Sequence, residues 1–126
     1  MAITRACAPL PDTVRLSPQH ASHNGQMRWT TRVAVALSVP KAGNRRVVCH
    51  VANATGSPST LTVRALDPET GRVHGSTILH VPSASAWTVW RSVPVTLDMA
   101  GGTNLVVCGV EAADQGGVNL DYLTLA

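Results

Sequence analysis

Apolar and polar residues alternate with a period of two along most of the chain after Arg28. One example is the segment in which Val47, Cys49 and Val51 share a face while polar residues separate them. Such alternation predicts half-buried β-strands, because successive side chains of a strand point to opposite faces. Glycine, proline and asparagine form turn signals about every 8 to 12 residues, a spacing typical of β-sandwiches.

The alternating segments predict strands over residues 28–39, 46–52, 61–65, 73–81, 87–97, 103–111 and 118–125, with a short additional strand at 13–16. The expected all-β fold is a single jelly-roll sandwich of about eight to nine antiparallel strands. Residues 28–126 would form the sandwich. Residues 1–27, rich in proline, histidine and serine with little periodicity, are predicted to be an extended N-terminal arm or lead-in.

Composition supports one β-rich domain and excludes several other classes. The 126 residues include 17 valines but only six Glu, Lys and Gln together, which argues against an all-α protein. With no Phe, one Tyr and three Trp, the core must consist mainly of Val, Leu and Ala. The net charge of +3 is scattered along the chain, so a nucleic-acid interface is not expected.

The sequence also lacks membrane and secretion signals. It contains no apolar run long enough to cross a bilayer. If Met1 is the natural start, the first residues carry no signal peptide either. A membrane partner is therefore not expected.

The three cysteines follow no disulfide or zinc pattern. Cys7, Cys49 and Cys108 are an odd number at wide spacing. Cys49 and Cys108 both alternate with valines, which predicts two reduced thiols buried in the core. A bridge between facing strands is the alternative.

Four motifs occur in order at spacings that resemble carbohydrate-binding module families 6 and 35. They are Val39–Gly43 (VPKAG), Trp87–Trp90 (WTVW), Val95–Asn104 (VTLDMAGGTN) and Gly116–Leu123 (GGVNLDYL). The likeness covers about residues 30–126. It implies a galactose-binding-like jelly roll, non-catalytic sugar binding and, in many members, a structural calcium ion.

The resemblance also implies site residues. The ring of Trp90 and the amide of Asn119 would line a ligand cleft at the loop end of the sandwich. The second ring that is common in these families is missing from its loop; Trp29 could take its place, although its position at the head of an alternating strand suits packing equally well. Stacking of a sugar on a flat ring and hydrogen bonding of an amide to hydroxyls suit these residue types. For calcium, the implied ligands are Asp121 and Asp12, although these families usually have an acidic pair near the N-terminus where this chain has only Asp12.

A catalytic function is not expected, so the chain is predicted not to be an enzyme. Glu111 and Asp114 are close in sequence and do not face each other across a cleft, as a glycosidase pair would. His20 and His23 have the spacing of half a metal site, but loop histidines at a surface explain them equally well.

Two functions agree with a non-enzymatic sandwich. In the first, a carbohydrate-binding module recognises a glycan weakly outside the cell. In the second, the same fold is a phage capsid-decoration or fibre-associated protein at the virion surface, docking on capsid proteins through Pro9, Leu10 and Pro11 of the arm. Both allow a homo-oligomer, and the residues alone leave both open.

Overall fold

The computed structural model describes the backbone of residues 7–16 and 28–30, and both backbone and side chains of residues 32–111, 114 and 117–125. Nine strands lie in this part of the chain. In chain order they are β1 (Cys7–Leu16), β2 (Arg28–Thr30), β3 (Arg32–Val39), β4 (Gly43–Ala52), β5 (Ser59–Leu66), β6 (Val73–Val81), β7 (Arg91–Met99), β8 (Gly102–Gly109) and β9 (Val118–Leu125). None of the described residues belongs to a helix of the length and apolar character that a membrane crossing requires.

The strands form two sheets that enclose the core. One sheet has five strands in the order β2-β1-β9-β4-β7, and the other has four in the order β3-β8-β5-β6. Neighbouring strands are antiparallel except β1 and β2, which are parallel. The predicted all-β sandwich is confirmed.

The core forms because the period-two pattern turns one apolar row of each strand inward. Val47, Cys49 and Val51 of β4 and Val63 and Ala65 of β5 are fully buried. All of the buried apolar residues that the structure describes are Leu, Val, Ala, Met or Cys, as the scarcity of aromatic residues predicts. Burying each Val or Leu side chain contributes about 1.5–3 kcal/mol before entropy is subtracted.

The structure corrects the prediction for the N-terminal segment. Residues 7–16, predicted as part of an extended arm or lead-in with only a short strand at 13–16, form β1, which lies inside the five-stranded sheet between β2 and β9. Pro9 and Pro11 argued against a strand, because proline cannot donate a ladder hydrogen bond. The ladder with β9 accommodates them through an irregularity between Pro9 and Val14. The predicted docking residues Pro9, Leu10 and Pro11 are thus part of the sandwich, and residues 17–27 of the predicted arm lie outside the described residues.

The strand predicted over residues 87–97 is also corrected. β7 begins only at Arg91, and the residues before it form turns in which the Val89 amide donates to the Ala86 carbonyl over 3.1 Å. Trp87 and Trp90 therefore do not share a strand whose alternation would fix their faces. The serine- and alanine-rich sequence before Trp87 continues as turn structure instead.

Candidate functional site

The three predicted ligand-binding residues lie at one end of the five-stranded sheet. Arg15 of β1 is the register partner of both Trp29 and Asn119, and Asn119 also pairs with Ala52. Trp90 directly precedes β7 at the same end. The strand order β2-β1-β9-β4-β7 places residues separated by up to 90 positions in sequence in one row at this end of the sheet. Trp29 is on one edge strand of that row, and Trp90 lies next to the other.

Trp90 belongs to a stack of three rings on the outer side of this sheet. The imidazole of His50 lies between the other two rings, with its centroid 5.2 Å from that of Trp90 and 4.5 Å from that of Tyr122. The planes differ by only 9° and 14°. The stack follows the strand order, since Tyr122 is on β9, His50 on β4 and Trp90 before β7. All three side chains are half-buried.

The stack determines which ring face can receive a ligand. Among the described rings, only the imidazole of His50 stacks on Trp90, so the opposite indole face has no aromatic neighbour. β7 is the last strand of its sheet, and this indole face is therefore turned toward the sheet edge. A flat apolar face at an edge is suited to stacking against the C–H face of a sugar.

His50 is a site residue that sequence reasoning missed. Its only signal was its position between Cys49 and Val51, which turns its side chain away from the core. No spacing in the sequence shows that His50 meets Trp90, because the contact depends on the pairing of β4 with β7 and β9.

Asn119 and Trp29 are placed differently from Trp90. The Asn119 side chain is only 3% exposed and already has a contact partner within the chain. The Asn119 side chain is therefore buried at this end of the sheet and is not on the protein surface. For Trp29 the structure describes the backbone, and its ring lies outside the described side chains.

The loop that leads toward Trp90 is held by the buried side chain of Asn53. Its amide nitrogen donates to the carbonyls of Ser57, over 2.9 Å, and Val81, over 3.2 Å. Its side-chain oxygen accepts from the Thr55 hydroxyl over 2.7 Å, and its backbone carbonyl accepts from the Ala84 amide over 2.7 Å. These bonds join the loop after β4 to the loop after β6, and thereby brace the end of the sandwich.

The described side chains do not form the implied calcium site. Asp121 is half-exposed on β9. Asp12 lies in the irregular part of β1 between Pro9 and Val14, and its carboxylate lies outside the described side chains. Among the described residues no three His, Cys, Asp or Glu side chains are grouped to hold a metal ion. Calcium prefers six or more oxygen ligands, so the described donors do not fit it, and calcium stays a prediction from the resemblance.

Glu111 and Asp114 have structural contacts. The Asp114 carboxylate accepts hydrogen bonds of 2.8 Å from the hydroxyls of Thr60 and Thr62 and from the backbone amide of Glu111. Burial alone would raise the pKa of Asp114, but these hydrogen bonds outweigh it and lower the pKa. Glu111 forms an ion pair of 3.2 Å with Arg64. The two carboxylates thus fasten the loop after β8 to β5.

Both described cysteines are free thiols in the core, as predicted. Burial raises the pKa of Cys49 to about 12. The pKa of Cys108 is also raised, first by burial and then by the nearby Cys49 and Asp114. Neither thiol is a reactive group at neutral pH. The thiol of Cys7 lies outside the described side chains.

The outer face of the four-stranded sheet has a groove of about 360 Å³. Arg32, Arg64 and Glu111 form its polar side, and Leu105 and Val107 of β8 form part of its floor. None of the described residues that line it is aromatic, so they offer no stacking face of the kind found at Trp90.

The sequence and the fold were compared with those of known proteins. No family model matches the sequence. The chain is 30% identical over 95 residues to a 1,6-alpha-glucosyltransferase of Sporosarcina globispora, a match that covers 75% of this chain and 7% of that enzyme. The chain therefore spans only a small part of the curated relative that it matches.

The fold is also similar to domains of solved carbohydrate-active proteins. The isomalto-dextranase of Arthrobacter globiformis T6, solved in complex with panose, is 32% identical with a TM-score of 0.70, over 75% of this chain and 16% of that one. The family 35 carbohydrate-binding module of Cellvibrio japonicus Abf62 is 19% identical with a TM-score of 0.63, over 99% of this chain and 88% of the module. The expectation from the sequence motifs is confirmed at the level of fold: this chain has the β-sandwich fold that the family 35 carbohydrate-binding module also has.

Proposed function

We propose that this chain is a non-catalytic carbohydrate-binding domain whose ligand stacks on the free face of Trp90. The observation that carries the proposal is the ring stack, which places the half-exposed indole at the β7 edge of the five-stranded sheet with no described ring on its other face. Trp90 is also the ring that the sequence motifs single out. The fold shared with family 35 modules supports the same role.

The proposed ligand is a glucose oligosaccharide of the isomalto type. Two similar proteins, a 1,6-alpha-glucosyltransferase and an isomalto-dextranase complexed with panose, support this class. Because the chain corresponds to 7% and 16% of these enzymes, we propose that it acts as an accessory domain in a carbohydrate-active context. Such a context implies an extracellular glycan as partner.

The contacts of the candidate acid and base support a non-catalytic role. The Asp114 carboxylate accepts three short hydrogen bonds, and Glu111 is paired with Arg64. A glycosidase needs two carboxylates that flank the scissile bond. These two instead stabilise one loop.

Calorimetric titration with panose tests the proposal. We expect weak binding by the wild-type chain, weaker or absent binding of galactan and uronic-acid oligosaccharides, and a loss of at least about tenfold in Trp90→Ala, because the stacking face is removed. Val89→Ala is the matched control, since it removes an apolar side chain, 37% exposed, from the same loop without removing a ring. A folded wild-type chain that binds none of these sugars would contradict the proposal.

The virion hypothesis gains no comparable support. The similar proteins reported above are carbohydrate-active enzymes and a carbohydrate-binding module. The residues assigned to capsid docking, Pro9, Leu10 and Pro11, lie in an interior strand of the sheet. Of the two hypotheses, only glycan binding is supported by these similarities.

A further inference from the structure

We propose that His50 is a positioning residue of the glycan site: its imidazole, held between Tyr122 and Trp90, orients the indole and leaves only the face at the sheet edge for ligand. This inference rests on the proposed function. It concerns how that site is built rather than whether it binds sugar.

The first step is that His50 is anchored on rigid backbone. β4 lies between β9 and β7, so His50 is paired on both sides, with Tyr122 and with Ser92. Directly after His50 the ladder with β9 shifts register, before Val51. Such irregularities disrupt the ladder locally and re-aim neighbouring side chains. The pairs of His50 with Tyr122 and Ser92 are kept.

The second step is that Trp90 lacks this anchorage. It precedes the first residue of β7, which is an edge strand, and follows a segment of turns. An indole at the end of a loop can rotate about two side-chain torsions. The near-parallel imidazole, inclined by 9°, selects one of the resulting orientations.

The third step concerns what holds the imidazole itself. Its other face stacks on Tyr122 at 4.5 Å, and the Ser92 hydroxyl lies 3.5 Å from its Nδ1 atom. Contacts on both faces and on the ring edge restrict rotation of His50. Tyr122 on β9 therefore fixes the imidazole of His50 on β4, and this imidazole in turn orients Trp90 at the edge of the sheet.

The fourth step is the consequence for a ligand. An offset ring stack covers much of both facing surfaces, so a sugar cannot enter between His50 and Trp90. The sugar must then lie on the β7 side of the indole, away from the centre of the sheet. His50 thus determines both the orientation of the Trp90 indole and which of its two faces can bind the sugar.

The test compares His50→Ala, which removes the ring, with His50→Phe, which keeps a planar ring. Panose affinity is measured by titration, and the Trp90 indole N–H signal is followed by NMR after assignment with Trp90→Phe. We expect His50→Ala to lose about three- to tenfold in affinity and to shift or broaden the Trp90 signal. His50→Phe should bind within about twofold of the wild type, because the stack is restored.

His80→Ala is the matched control, since it removes an exposed histidine from β6 in the other sheet. If His50→Ala does not fold, His50→Leu supplies a non-planar side chain of similar volume for the same comparison. Wild-type-like affinity and an unchanged Trp90 signal in a folded His50→Ala or His50→Leu variant would overturn the inference. If the wild type itself binds no panose, the proposed function fails, while the indole signal still decides whether His50 orients Trp90.

Discussion

The rings of His50 and Trp90 lie in an offset stack, 5.2 Å apart between centroids and inclined by 9°. His50 is near the end of an interior strand, and Trp90 directly precedes an edge strand. The stack therefore connects a residue of the interior strand β4 to a residue beside the edge strand β7. It gives a loop residue the fixed orientation that ligand stacking requires.

The contact between His50 and Tyr122 should be measurable as a coupling free energy. We expect a double-mutant cycle of His50→Ala and Tyr122→Ala, followed by urea unfolding, to give about 0.5–1.5 kcal/mol, because ring pairs contribute this much beyond their buried area. A cycle between Tyr122→Ala and His80→Ala is the control, since His80 lies in the other sheet. Equal coupling in the two cycles would show that the His50–Tyr122 stack does not stabilise the fold.

Replacing Gly75 should destabilise the sandwich. A Cβ atom at this position would lie 2.5 Å from the backbone oxygen and 2.7 Å from the backbone nitrogen of Asp98, so β6 and β7 could not keep their close approach. We expect Gly75→Ala to lower the free energy of unfolding by about 1–3 kcal/mol, as overpacking does. Gly101→Ala, where the nearest backbone atom would be 3.4 Å away, is the matched control in the same urea titration. Equal midpoints for the two variants would contradict this prediction.

Asp114 should make stability dependent on acidic pH. Because its folded-state pKa is lowered, its contribution is fully present above the unfolded-state value of about 3.8 and is lost as the pH falls through the folded-state pKa. We expect Asp114→Asn to cost about 1 kcal/mol at neutral pH, reduced from the value for a buried charged hydrogen bond because the group is partly exposed. The difference from the wild type should shrink below pH 4, measured as urea midpoints across pH.

Asp98→Asn, on an exposed position of β7, is the control for that pH series. It removes the same negative charge but leaves the hydrogen bonds of Asp114 in place. A pH-independent cost of Asp114→Asn would mean that the hydrogen bonds to Thr60 and Thr62 do not depend on the ionised carboxylate.

The core thiols should resist modification until the protein unfolds. In a Cys7→Ser background, Cys49 and Cys108 should react with a thiol reagent at pH 8 only after urea is added, because both are buried and the pKa of Cys49 is about 12. Unfolded thiols ionise near pH 9.0, so stability should fall as the pH rises above that value. Rapid labelling of the native protein would show that the two thiols are accessible.

Much of the fold could be predicted from local pattern. Alternation around Val47, Cys49 and Val51 identified a strand and its buried face, since side-chain direction in a strand has a period of two. The same reasoning found only the part of β1 at residues 13–16, because two prolines obscured the rest of a strand that pairs with β9. It failed also before Arg91, where turn hydrogen bonds replace the expected ladder.

The candidate site was only partly predictable. Trp90 could be selected because flat rings bind sugars and because its motif resembles a known family. The burial of Asn119 and the partnership of His50 could not, since both depend on which strands become neighbours.

The sequence by itself determined the β class, the aliphatic core and the identity of the ring that we propose as the ligand platform. These follow from alternation, composition and motif, which are properties of neighbouring residues along the chain. Only the tertiary structure decided that β1 enters the sheet, that Asp114 secures a loop and that His50 orients Trp90. Those outcomes depend on contacts between residues distant in sequence: β1 pairs with β9, Asp114 accepts hydrogen bonds from β5, and β4 lies between β9 and β7. No local pattern encodes which of these segments become neighbours.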